Sequence, residues 1–140
     1  NLSFPDNRVK GFIAFSPTVT KRMDEKSAFE KIVKPFFSIT GDEDEIDMIK
    51  ATAEERRIPY DNMPSGDKFL LILKGADHAS LSGQKRWRDT EKDDTENIKL
   101  IKISILAFWD AYLKEKKEAK KFLNSELVNF IGERGSFERK

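Results

Sequence analysis

A chain of 140 residues suffices for one domain that buries about two-thirds of its extended surface, and 26 basic against 25 acidic side chains leave a formal charge of +1 with the signs interleaved. That balance gives nucleic acid or an anionic membrane little long-range attraction to act on. The lack of cysteine removes disulfides and thiolate chemistry without assigning a compartment, and no uncharged run approaches the roughly 20 residues of a bilayer span.

Taken in chain order, Ser3 to Arg8 reads as a polar turn, and a first strand is expected over 9–15, bounded by Ser16-Pro17. Its apolar residues are consecutive from Gly11 to Phe15, which suits a strand covered on both faces. The stretch to Lys34 carries Phe29, Ile32 and Val33 at roughly helical spacing, and Ser27-Ala28-Phe29-Glu30 reads as a capping box opening a short helix. A second strand, Phe36 to Thr40, is free of charge and ends at Gly41 before four consecutive acids, Asp42 to Glu45.

Ile46, Ile49 and Ala53 then predict a helix over 46–57 stopped by Pro59, followed by a loop over 58–67. The third strand, 68–73, runs into Gly75-Ala76-Asp77-His78, which holds the only histidine of the chain. After a charged segment over 84–94, Ile98, Ile101, Ile105, Phe108 and Tyr112 step by three and four. They predict a long helix over 95–121, well buried against the sheet, in which Phe108, Trp109 and Tyr112 are core residues. A short apolar cluster, 127–131, precedes Gly132 and a charged tail.

Strand and helix in alternation predict an α/β domain over 1–140, with a parallel sheet joined by crossover helices. Three strands leave two edges, and segments this apolar are ill suited to an exposed edge. The sheet is therefore expected to be incomplete, and to be finished by further chain or by a second chain across its edge.

Two strand ends carry chemistry. A strand that delivers a carboxylate at its carboxyl edge, beside one that delivers an imidazole, places an acid and a base side by side. A histidine base needs one ring nitrogen held by a carboxylate, and Asp44 and His78 are the candidates for that pair.

The two endings, Gly41-Asp42-Glu43-Asp44 and Gly75-Ala76-Asp77-His78, followed by the helix at 95–121, resemble the carboxy-terminal part of an α/β-hydrolase of the dienelactone-hydrolase or carboxylesterase type. The resemblance spans nearly the whole chain. It implies that Asp44 is the triad acid and His78 the base of a serine hydrolase acting on a small-molecule carboxylic ester, with no cofactor required. The family nucleophile lies in Gly-x-Ser-x-Gly upstream of the acid, and that motif does not occur here. The resemblance thus implies about one hundred or more residues upstream, supplying the nucleophile and the oxyanion donors. These 140 residues alone are expected to lack turnover. The competing expectation is a binding or structural module that keeps a relic Asp-His pair.

Other residues receive plainer readings. Asp42, Glu43, Glu45 and Asp47 have the oxygen donors that calcium needs, but Asp47 occupies the position where a calcium loop turns on glycine, so Asp42 or Asp47 is expected at a helix N-terminus. Asp77 is expected to face water, and Ser80 to Ser82 to shape the mouth of the site or to make ordinary turn bonds. Lys85-Arg86-Trp87-Arg88 is offset at once by Asp89, Glu91, Asp93 and Asp94, and reads as a solvated flank.

Overall fold

The computed structural model of the chain describes residues 6–19, 24–46, 51–82 and 94–140. In chain order the elements are β1 (Phe12–Phe15), α1 (Glu25–Phe29), β2 (Phe36–Glu43), a 3-10 turn (Glu54–Arg57), α2 (Ile58–Asn62), β3 (Lys68–Asp77) and α3 (His78–Ser82). Then follow α4 (Thr95–Tyr112), α5 (Lys117–Lys121), a π turn (Phe122–Glu126), α6 (Leu127–Ile131), a second 3-10 turn (Gly132–Arg134) and β4 (Gly135–Arg139). The strands form one sheet in the order β1-β2-β3-β4.

β1, β2 and β3 are parallel, but β4 pairs antiparallel with β3, so the expected all-parallel sheet is corrected to a mixed one. The charged tail after Gly132 forms this fourth strand. Its Phe137 stacks on Phe69 at a centroid separation of 6.0 Å. One apolar residue among charged neighbours is too weak a period-two signal to announce a strand, and packing against the core supplies the rest.

β2 and β3 form the centre. Phe37 and Ile39 share a face with Phe69, Leu71 and Leu73, and that face is covered by α4 and the helical run that follows it, through the fully buried Leu100, Phe108, Leu123 and Leu127. Burial of such side chains stabilises the fold by about 1.5–3 kcal/mol each. The opposite face, with Ser38, Thr40 and Leu70, lies on the side of α2, where Tyr60 and Met63 are buried. Phe108, Trp109 and Tyr112 join the core as their spacing predicts. The long helix, however, ends at Tyr112; the backbone turns at Glu115 (φ 55°) before α5 resumes.

Three local expectations are revised. β1 begins only at Phe12 and is an edge strand with Phe12 and Phe15 exposed, so the reading of a strand covered on both faces does not hold. Ser27 lies inside α1, where its hydroxyl donates to the Asp24 carbonyl, and it opens no capping box. In place of one helix over 46–57, Ile46 bridges Ala51, and a reciprocal capping pair starts the 3-10 turn: Thr52 N–H donates to the Glu55 carboxylate, and Glu55 N–H donates to Thr52 Oγ1. Pro59 stops nothing. It sits in the first turn of α2, where its missing N–H costs no hydrogen bond. Residues 47–50, with Asp47, and 83–93, with Trp87 and the basic cluster, lie outside the described residues.

Candidate functional site

Register sets the site. β2 and β3 pair evenly from Phe36↔Lys68 to Gly41↔Leu73, then slip so that Lys74, Gly75 and Ala76 lie opposite Asp42 alone, and pairing resumes at Glu43↔Asp77. Asp44 and His78 are the residues that follow this last pair. They leave two neighbouring strands at the same carboxyl edge, where open parallel sheets present their chemistry.

Both glycines of the sequence signatures serve this slip. Gly75 takes φ +65°, a left-handed conformation that favours glycine, and its N–H donates to Asp42 Oδ1 at 2.6 Å. Gly41 passes so close to Ala76 that a Cβ there would overlap the Ala76 carbonyl. Asp42 therefore pins the extra residues of β3 and opens no helix, which corrects its expected capping role.

The carboxylate of Asp44 is fully buried. Its backbone N–H returns to the Gly41 carbonyl, folding the side chain over the strand end, where Thr40 Oγ1 donates to Oδ2 at 2.7 Å. Oδ1 lies 2.9 Å from His78 Nδ1. The imidazole side chain is 53% exposed, so the pair couples a buried acid to an accessible ring. A carboxylate acceptor at Nδ1 favours the tautomer with its hydrogen there, which makes Nε2, on the far side of the ring, the proton acceptor.

A third charged group was not singled out in the sequence. Arg56, 1% exposed, reaches the pair from the 3-10 turn: its Nε donates to the Asp44 carbonyl at 3.1 Å, and Nη1 donates to the Ser16 carbonyl at 3.0 Å. Nη2 stands 3.5 Å from Asp44 Oδ1, a charge contact without hydrogen-bond alignment. Nothing in the sequence separates Arg56 from the other charged residues of the segment Glu54 to Arg57.

On the other side of His78, Asp77 does not face water as expected. Its Oδ1 accepts the Ser80 N–H at 2.9 Å, capping the turn that opens α3. Ser80 Oγ lies 2.9 Å from the same oxygen and 2.7 Å from Asp94 Oδ1, so Ser80 is a buried anchor between β3 and the start of α4. Among the described residues no group of three or more acid, histidine or cysteine side chains is arranged to hold a metal ion. Nor, among them, is any helix long and apolar enough to cross a membrane.

No protein-family model matches the chain, and no curated protein matches it.

Proposed function

We propose that this chain supplies the acid and the base of a serine-type ester hydrolase, with Asp44 as the acid and His78 as the base in an arrangement similar to that of the α/β-hydrolases. The observation that carries the reading is the 2.9 Å contact between a fully buried carboxylate and a half-exposed imidazole at the carboxyl edge of adjacent parallel strands. In this reading Asp44 holds Nδ1–H, Nε2 takes the proton of a serine hydroxyl as it attacks the ester carbonyl, and the imidazolium returns that proton to the leaving alkoxide. The serine and the oxyanion donors come from chain outside these 140 residues. An asymmetry between the two sheet edges supports this: β4 presents Glu138 and Arg139, charges of the kind that discourage pairing, whereas β1 presents Phe12 and Phe15.

The test is hydrolysis of activated short-chain esters by the full-length protein, together with labelling by a serine-directed phosphonate. The expected result is one labelled serine upstream of Asn1 and a loss of at least about 10²-fold on His78→Ala, the lower range for a general acid-base group. Absence of labelling and an unchanged rate across an ester panel would instead favour a binding module with a relic pair. Labelling within these 140 residues would place the nucleophile among their own serines.

A further inference from the structure

We infer that Arg56 is a positioning residue for the Asp44–His78 pair, a buried guanidinium that locks the acid-bearing turn to the end of β1 and fixes the orientation of the carboxylate presented to the imidazole. The inference rests on the reading of Asp44 and His78 as acid and base. It adds a residue that neither the sequence signatures nor that chemistry calls for.

The argument begins with charge. Asp44 is wholly buried and Arg56 very nearly so. A buried carboxylate left without a counter-charge is strongly destabilising, and His78 offers one only when protonated. Among the described residues, Arg56 is the permanent cation within 4 Å of the carboxylate. Geometry then separates positioning from neutralisation. If counter-charge were the sole role, the guanidinium would be expected to dock end-on with two parallel bonds to the carboxylate. It turns its side to Asp44 instead, spending Nε on the backbone carbonyl of Asp44 and Nη1 on that of Ser16, with Nη2 left facing Oδ1.

Those two carbonyls belong to the ends of different strands. Ser16 follows β1 with φ +46°, a left-handed conformation that is strained for a non-glycine residue, and its carbonyl is held by the same cation that grips Asp44. Thr40 fixes Oδ2 from below and Arg56 fixes the backbone from the side, which leaves His78 Nδ1 on Oδ1. A lysine carries the charge but lacks the planar fork, so it cannot hold both carbonyls in this geometry while facing the carboxylate.

The experiment uses the single histidine of the chain. In chain labelled with 15N at histidine, the downfield Hδ1 proton and the ring nitrogen shifts read the Nδ1–H tautomer, and backbone amide spectra of each variant read the fold. Asp44→Asn is expected to abolish the downfield Hδ1 signal; an unchanged signal would reject the pair itself, and with it the proposed function. Arg56→Lys is expected to keep the amide dispersion while broadening or losing that signal and mixing the tautomers. A folded Arg56→Lys chain with the wild-type signal would overturn the positioning role and leave the pair standing.

The unmodified chain gives a second measurement that does not depend on any variant folding. Arg56 Nε–H should exchange with solvent at least about tenfold more slowly than that of Arg8, whose side chain is 91% exposed. Exchange as fast as at Arg8 would overturn the clamp.

Discussion

Tyr60 and Tyr112 are the two tyrosines of the chain, and both are held by the fold in their neutral form. Burial raises each phenol above its ordinary value of 10.0; Glu138 and Asp61 add to the effect at Tyr60, and Asp67 at Tyr112. A folded-state pKa above the unfolded one means that the stabilisation is complete below pH 10 and is lost as pH rises further, because only the unfolded chain then releases its phenolic protons. Lys68 acts in the opposite sense. Burial lowers its pKa below 10.5, so the folded chain sheds that proton first, and stability gains slightly with pH in the window just under 10.5. With two phenols against one amine, we expect denaturant-measured stability to fall above pH 10. Phenolate absorbance in the folded chain should develop above the pH at which a free phenol titrates. A phenolate titration centred on pH 10 in chain that is still folded would contradict the burial of both rings.

At the scale of elements, the slip between β2 and β3 is what makes a pair out of two strand ends. Without it, Asp44 and His78 would lie out of step by the residues that β3 has in excess between Leu73 and Asp77. Gly41→Ala should force the strands apart at this point, since the added methyl group meets the Ala76 carbonyl most closely, and the Ala76 Cβ beside it cannot turn away. The expected cost is at least about 2 kcal/mol, in the range for overpacking, with loss of the downfield His78 Hδ1 signal in any folded fraction. Because the overlap is with the Ala76 carbonyl, adding Ala76→Gly should not restore stability. Rescue by that second change in a denaturation experiment would show that the contact is softer than backbone against backbone.

At the scale of the whole molecule, the sheet has one edge protected by charge and one that is not. The β1 edge shows Phe12 at 42% and Phe15 at 43% exposure, and among the described residues no strand pairs with its outer side. Edges of this kind recruit another strand. These 140 residues prepared alone are therefore expected to self-associate through β1, and Phe15→Lys should raise the concentration at which sedimentation velocity detects association by at least about tenfold, equivalent to about 1.4 kcal/mol. Equal association of both forms would remove β1 as the contact.

The sequence alone was enough where a local pattern and a buried environment agree: the uncharged run Phe36 to Thr40, the run Phe69 to Leu73, and the three-and-four spacing of Ile101, Ile105, Phe108 and Tyr112 on α4. It also marked Asp44 and His78 as a candidate pair, because each follows the end of an apolar strand and the endings Gly41 to Asp44 and Gly75 to His78 carry the resemblance. What it could not supply are contacts between residues far apart in the chain. Phe137 becomes a strand residue only when Phe69 is behind it, and Ile46 and Ala51 meet in a bridge just before Thr52 and Glu55 cap each other. Arg56 looks like any surface arginine of a charged turn until the ends of β1 and β2 bring the Ser16 carbonyl and Asp44 to it. Local propensity amounts to tenths of a kcal/mol per residue, whereas a buried ring or a buried ion left unpartnered costs several, so the tertiary structure decided each of these positions.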